Sequence, residues 1–448
     1  MRAFILSAFL INLLIGIHAR SLPTLQSEKY CQLPENGAAF SVADPSDVNL
    51  DPIIVQKAIT YASTHNRLSV QIFRNNCKVA TSILDPLTDE VPFNVFSSTK
   101  SVISILTGMA YDQGKLHLDD AIDKYLPKGP GWGDAAHRNI TIRNLLTETA
   151  GLREAILAEF ASVLIDPNVA QEALAQPLQH TPGTHFEYTQ RVPDLLSFVV
   201  QQAIGQDLQA FAQDHLFGPI GIPKNGYFWL HDRSGITYGY AHLFIKPSDF
   251  AKLGLFMQNG GEWNGKRLLS KDYIQKATAP SPQNPCYSFL FWNNEGQPCT
   301  AANIPSTETL NRRAIPPAPK DAYAMVGALQ QNNFIIPSLN MTVTWTGVFG
   351  DYTSDPPQFL SASPGPLYWD FFEILMRAVK DVNVPDAGPY VSPPLDLDFN
   401  PSNYLSVPVL LKDLFPSKFC NVVFCQSTIP IQGLIENIQS IVGTVLGF

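Results

Sequence analysis

The sequence predicts an α/β (α+β) protein, in which a sheet layer drawn from both ends of the chain brackets a mostly helical middle. Three observations carry that expectation. Alternating apolar residues form two strand pairs, one early and one late in the chain. Between them, apolar residues recur at three- and four-residue spacing, and Pro-, Gly- and Asn-rich turns separate the segments. Length and composition agree. The chain has 448 residues, 45% of them hydrophobic and 15% charged, which is enough apolar surface for a large core and excludes a disordered chain.

In chain order, helical spacing from Ile53 to Ala62 predicts a first helix. Leu68, Val70 and Ile72, then Val79 and Ile83, predict a hairpin turning at Asn75-Asn76. From Thr99, the residues Val102, Ile103, Leu106, Met109 and Ala110 predict a buried helix ending near Gly114. Further helices are expected over 142–146, 192–203, 208–216 and 250–258. A second hairpin is expected from Phe334-Ile335-Ile336 to Met341-Val343-Trp345, followed by a helix over 368–379. After Lys380 the chain turns Pro-rich, which predicts a boundary there and an appended tail over 381–448. That tail ends in an amphipathic pattern (Ile431, Leu434, Ile435, Ile438, Val442, Val445) expected to pack on the body.

Residues 1–19 have a charged start, a short apolar run and a small-residue exit at Ala19, the pattern of a secretory signal. The run is shorter than the ~20 apolar residues of a bilayer span, so a membrane anchor is the weaker reading and no span is expected later. A secreted, extracellular protein follows as the expectation. Six cysteines fit an oxidising compartment, and the short loops favour Cys286 with Cys299 and Cys420 with Cys425, leaving Cys31 with Cys77. Asn139-Ile140-Thr141 and Asn340-Met341-Thr342 are glycosylation acceptor triplets. The net charge of −9 and the lack of a Lys/Arg run argue against nucleic acid as partner. No His/Cys spacing suggests a metal, and no cofactor is expected.

Ser97-Ser98-Thr99-Lys100 carries the chemistry. A Ser three positions before a Lys on one helix shares its face, so the amine can take the hydroxyl's proton. Burial favours the uncharged amine that such a base requires, and unpaired N–H groups at the helix start, including that of Ser97, can hold an oxyanion. The same four residues would also suit a capped helix with a solvated lysine. Lys100, however, is the only lysine with Ser three positions before it.

Phe96-Ser97-Ser98-Thr99-Lys100-Ser101-Val102, Gly114 to Asp120 and Lys124 to Pro127 resemble the serine β-lactamase and penicillin-binding-protein superfamily, closest to its class C and esterase-like branch. The resemblance continues through Ile140 to Thr147 with Gly151-Leu152, Pro182-Gly183-Thr184, Leu216 to Ile222 and Gly260 to Gly265. It spans roughly residues 50 to 380. It implies a β-lactamase/transpeptidase-like fold, with an antiparallel sheet and flanking helices beside a mostly helical domain and the active site between them. Residues 20–380 would form that catalytic domain.

By the same resemblance Tyr188, in Phe186-Glu187-Tyr188-Thr189-Gln190, matches the family's Tyr-x-Asn and shares the proton work; Gln190 replaces Asn and is expected to contact substrate. The family's third motif falls at Gly327-Ala328-Leu329, before Gln330, with Leu329 or Gln330 as candidate second oxyanion donor. No cation stands there to pair with a substrate carboxylate, which favours neutral ester or amide substrates, small or peptide-like. The resulting expectation is a secreted serine hydrolase. An acyltransferase with the same residues, or a silent binding protein of the same fold, are the alternatives, and sequence leaves the oligomeric state open.

Overall fold

The computed structural model describes residues 28–153, 159, 162–300, 309–351, 366–392 and 432–446. The first helix, α1 (Pro52–Thr64), starts where the Asp51 carboxylate accepts hydrogen bonds from the N–H groups of Ile53 and Ile54, at 3.0 and 3.2 Å, with Pro52 at the first turn. It buries Val55, Ala58, Ile59 and Ala62. Strands β1 (Ser69–Arg74) and β2 (Cys77–Thr81) follow as an antiparallel hairpin. Asn75 and Asn76 both take positive φ, 51° and 63°, the geometry a two-residue hairpin turn demands and asparagine tolerates.

Strand β3 (Phe93–Asn94) leads into α2 (Ser98–Asp112), which is buried from Ser98 to Ala110. The helical middle holds α3 (Val169–Ala175) and α4 (Arg191–Ile204), and a short helix spans Ile142–Leu146. Then come β4 (Tyr227–Trp229), β5 (Leu243–Ile245), α5 (Pro247–Gln258) and α6 (Lys271–Thr278). The chain returns to the main sheet with β6 (Trp292–Asn293), β7 (Tyr323–Gly327), β8 (Gln331–Ile336) and β9 (Met341–Thr346), and closes with α7 (Pro366–Met376) and α8 (Gln432–Leu446).

The main sheet runs β2-β1-β9-β8-β7-β6 and is antiparallel throughout, so the early hairpin lies directly beside the late one, with Val70 opposite Trp345. Its two faces are told apart by strand parity. Phe334 and Trp345 face α7, where Trp345 meets Phe371 at 4.6 Å and Phe334 meets Phe372 at 4.9 Å between ring centres. Asn333 and Thr344 face the other way, and the Asn333 amide donates to the Phe250 carbonyl of α5 at 2.7 Å. With helices on both faces, all six residues of β1, β8 and β9 are buried.

Every predicted helix within the described residues is present, with ends shifted by a few residues; 208–216 continues as a π-turn over Gln213–Phe217. The second sheet, ordered β3-β5-β4, was not foreseen, because strands of two or three residues are too short to show alternation. Cys31 is bonded to Cys77 and Cys286 to Cys299, while Cys420 and Cys425, like the signal-like residues 1–19, lie outside the described residues. Asn139 and Asn340 are both exposed.

The tail helix α8 docks on the body, but not through its apolar face. The Asn437 side chain accepts from the His231 N–H at 2.7 Å and donates to the His231 carbonyl at 2.9 Å, behaving like a backbone partner next to edge strand β4. Thr444 donates to the Tyr227 carbonyl at 3.0 Å. Gly433 permits the approach, since a Cβ there would lie 1.8 Å from the Asp232 carbonyl oxygen. Leu434, Ile435, Ile438, Ile441 and Val442 point outward and are exposed. No helix among the described residues is long and apolar enough to cross a membrane.

Candidate active site

The site begins with a backbone held out of its ordinary range. Phe96 has φ +45°, unusual for a bulky residue, and its N–H is fixed by the Asn94 side chain at 2.9 Å. The bend places Ser97 as the residue that opens α2, 7% exposed at the helix N-terminus. The Ser97 N–H makes no hydrogen bond among the described residues, and so remains available to an incoming oxyanion. The helix start is itself anchored on both sheets: Ser98 donates to the Gln331 carbonyl at 2.8 Å, and the Val95 N–H donates to the Leu243 carbonyl at 3.0 Å.

Lys100 lies one turn on and is 1% exposed. Its Nζ donates to Ser97 Oγ at 3.3 Å, to Gln190 Oε1 at 2.7 Å and to the Tyr240 carbonyl at 3.3 Å. It also sits 4.5 Å from the ring centre of Tyr188 and 5.6 Å from that of Tyr240. The structure therefore brings together Ser97, Lys100, Tyr188 and Gln190. Gln190 spends its carbonyl on Lys100, so its position at the head of α4 orients the amine in addition to any contact with substrate. Tyr188 is buried in an aromatic wall with Trp292 and Tyr287, at 5.7 and 6.0 Å between ring centres.

The end of β7 reaches the same place. A Cβ on Gly327 would lie 2.2 Å from the Val95 carbonyl oxygen and 3.2 Å from the Ser97 nitrogen, so only glycine lets the strand approach this closely. Beyond it, Ala328, Leu329 and Gln330 form the turn into β8, with Leu329 and Gln330 at φ 57° and 55°. Buried Arg67 grips that turn, donating to the Leu329 and Gln330 carbonyls at 2.7 and 3.0 Å and to the Phe349 carbonyl. Arg67 is thus spent on backbone. Replacing Gly327 by alanine is expected to push β7 off Ser97 and to lower kcat/KM about 100-fold, the size of losing one oxyanion donor. Ester hydrolysis by the folded Gly327→Ala protein measures it, and a loss under about threefold would contradict this placement.

Residues that sequence reasoning missed surround Lys100. His242 has φ +70°; Asn94 Nδ2 donates to its Nδ1 at 3.2 Å, which leaves the ring proton on Nε2, facing the Tyr240 hydroxyl at 2.8 Å. Burial, aided by the Arg191 and Lys100 charges, lowers His242 to about 3, so it is a neutral imidazole here. Arg191 follows Gln190 and is 1% exposed. It donates to Asp166 at 2.8 Å, Asp194 at 2.9 Å and Ser162 at 2.9 Å, and pairs with Glu172 at 3.3 Å. Nothing in the local sequence marks this network, because its members lie up to 29 residues from Arg191. Among the described residues no grouping of three or more His, Cys, Asp or Glu side chains could hold a metal ion.

One guanidinium does not neutralise that many carboxylates. Burial raises Asp194 to about 6 and Asp232 to about 7, with their hydrogen bonds and, for Asp194, the Arg191 charge opposing. Such groups bind protons more tightly folded than unfolded, so their contribution is fully present below about pH 4 and is lost as pH rises through 6 to 7. Asp120 acts in the opposite sense: burial pushes it up, but Tyr125, Lys124 and the His117 N–H outweigh that and hold it at about 2, so its contribution fades only below about pH 4. Thermal unfolding is therefore expected to give a higher Tm at pH 5 than at pH 8. A Tm that rises across this interval would contradict the assignment.

Comparison with known proteins points the same way. Residues 66–285 match the family model described as Beta-lactamase. Esterase EstB of Burkholderia gladioli is 28% identical over 158 residues, covering 32% of this chain and 40% of that protein. Monacolin J acid methylbutanoyltransferase of Aspergillus terreus is 28% identical over 160 residues, covering 31% and 38%. The chain thus matches less than half the length of these curated relatives. Among solved structures, EstCE1, described as a hydrolase with promiscuous acyltransferase activity, superposes with a TM-score of 0.52 at 16% identity, covering 72% of this chain and 97% of that one. A penicillin-binding protein homologue from Caulobacter crescentus gives 0.52 at 13% identity, covering 72% and 96%. These superpositions establish a shared fold.

Proposed function

Because residues 66–285 match the family model described as Beta-lactamase, we propose that the chain is a secreted serine hydrolase that cleaves a neutral ester or amide through an acyl-enzyme at Ser97. The contact that carries this reading is Lys100 Nζ to Ser97 Oγ at 3.3 Å, with both residues buried. Ser97 Oγ attacks the carbonyl carbon as its proton passes to the amine of Lys100. The carbonyl oxygen, now negative, is received by the Ser97 N–H and by a second backbone N–H from the turn after Gly327, with Leu329 or Gln330 as the donor. Collapse expels the leaving group, which takes a proton from the Lys100–Tyr188 pair, and water then attacks the acyl-enzyme by the reverse proton path.

The substrate class follows from the groups around Ser97 and Lys100. Aromatic rings of Tyr188, Tyr287 and Trp292 form one wall, and Arg67, the cation that grips the third-motif turn, is spent on backbone carbonyls. Among the described residues, a substrate carboxylate would find no ready guanidinium partner at that turn. The two disulfides and the signal-like residues 1–19 support the secretory route. Stopped-flow hydrolysis of a neutral activated ester should show a burst of leaving group equal to the enzyme concentration, and a carboxylate-bearing analogue should react at least about tenfold more slowly. No burst and no turnover with either would overturn the reading. The likeness to a methylbutanoyltransferase makes acyl transfer the second reading; product analysis with added alcohols separates it from hydrolysis.

A further inference from the structure

Glu148 follows the Ile142–Leu146 helix and is 1% exposed, although nothing in the scheme above uses it. Its backbone is turned to φ +53°, and its carbonyl accepts the Glu187 N–H at 3.0 Å. Its side-chain Oε2 accepts from the Thr189 hydroxyl at 2.8 Å and the Thr189 N–H at 3.3 Å. One residue thus holds both ends of the 187–189 segment, and that segment presents Tyr188 and Gln190 to Lys100. The other carboxyl oxygen, Oε1, is buried without a hydrogen-bond partner among the described residues. A bare carboxylate left so is costly, whereas the protonated acid is not.

From this geometry, and resting on the reading of Ser97 as nucleophile, we infer that Glu148 is a positioning residue, a neutral acid that fixes Tyr188-Thr189-Gln190 against Lys100 and whose ionisation switches the site off. The groups acting on it are Lys100 from α2, Thr189 from the segment before α4, Tyr287 from the segment before β6, and Glu159. Burial dominates and lifts the carboxyl to about 8, against the pull of Lys100 and the Thr189 bonds; Glu159 pushes it further up. Above that pH, Glu148 loses its proton to solvent, and its negative charge favours the ammonium form of Lys100. The amine then no longer accepts the Ser97 proton. Below it, the neutral acid places no negative charge beside Lys100.

The experiment is the pH profile of kcat/KM for a neutral activated ester with the full chain, in wild type, Glu148→Gln and Glu148→Ala. Gln keeps the acceptor for Thr189 and cannot ionise, so E148Q is expected within about threefold of wild type at pH 7 and without the wild-type decline above pH 8. E148A removes the clamp and is expected to lose about 10- to 100-fold, in kcat more than in KM. Thr189→Val supplies the positioning arm should E148A not fold, with a similar kcat loss expected. An alkaline decline identical in E148Q and wild type, or wild-type kcat in both E148A and T189V, would overturn the inference. Fluorophosphonate labelling of wild-type Ser97 keeps the two questions apart. Absence of labelling strikes the Ser97 reading itself, whereas labelling with an unaltered profile strikes Glu148 alone.

Discussion

Lys100→Met is expected to lower kcat/KM about 1,000-fold while the protein stays folded. Methionine matches the length and apolar stem of lysine in a site that is 1% exposed, so the packing against Tyr188 and Tyr240 survives. What is lost is the nitrogen that meets Ser97 Oγ, and a serine hydroxyl with no base barely ionises at neutral pH. Lys100→Arg should not rescue the activity, because a guanidinium keeps its proton. Steady-state ester hydrolysis with both variants, alongside near-ultraviolet circular dichroism, decides the point. Retention of more than about a tenth of wild-type kcat/KM by folded Lys100→Met would mean that the proton leaves Ser97 by another route.

Arg191→Met is expected to destabilise the fold by about 3–5 kcal/mol at pH 8. The guanidinium is buried among Asp166, Glu172 and Asp194, and removing it leaves several carboxylates facing each other without a counter-charge. The loss should shrink at pH 5. There Asp194, raised to about 6 by burial, carries a proton, and fewer charges are stranded. Urea unfolding at the two pH values measures both effects. Because Arg191 opens α4 beside Gln190, activity should fall as well. An unfolding midpoint unchanged at pH 8 would show that the cluster is not held by this cation.

The legible part of the molecule is the part whose physics is local. Ser97 and Lys100 are three residues apart on one helix, so their contact could be read from spacing alone. The two hairpins and α1 announce themselves through alternation, asparagine turns and helical period. Tyr188 and Gln190 were reached by resemblance, and their spatial meeting with Lys100 comes from a fold that brings α4 against α2. Tyr240 and His242 were missed because they act across 140 residues or more of sequence, and a tyrosine or histidine at such a distance carries no periodic signal.

Glu148 was missed for a different reason. Flanked by Thr147 and Thr149, it reads as an ordinary polar loop residue, and only its position behind Thr189 reveals a buried acid. The tail shows the limit of pattern reading from the other side. Its apolar stripe correctly indicated a helix, but the docking face is the one bearing Gly433, Asn437 and Thr444. Hydrogen bonds to the backbone around His231 and Tyr227, rather than burial of that stripe, set the orientation of the helix.

The proposed reaction depends on a covalent acyl bond between Ser97 and its substrate. Rapid acid quench during turnover of a neutral activated ester, followed by intact mass and peptide mapping, tests it most directly. A mass increase equal to the acyl group is expected, located on the peptide bearing Ser97 and absent from Ser97→Ala. Turnover by wild type with no adduct at any quench time, or the same adduct on Ser97→Ala, would contradict it.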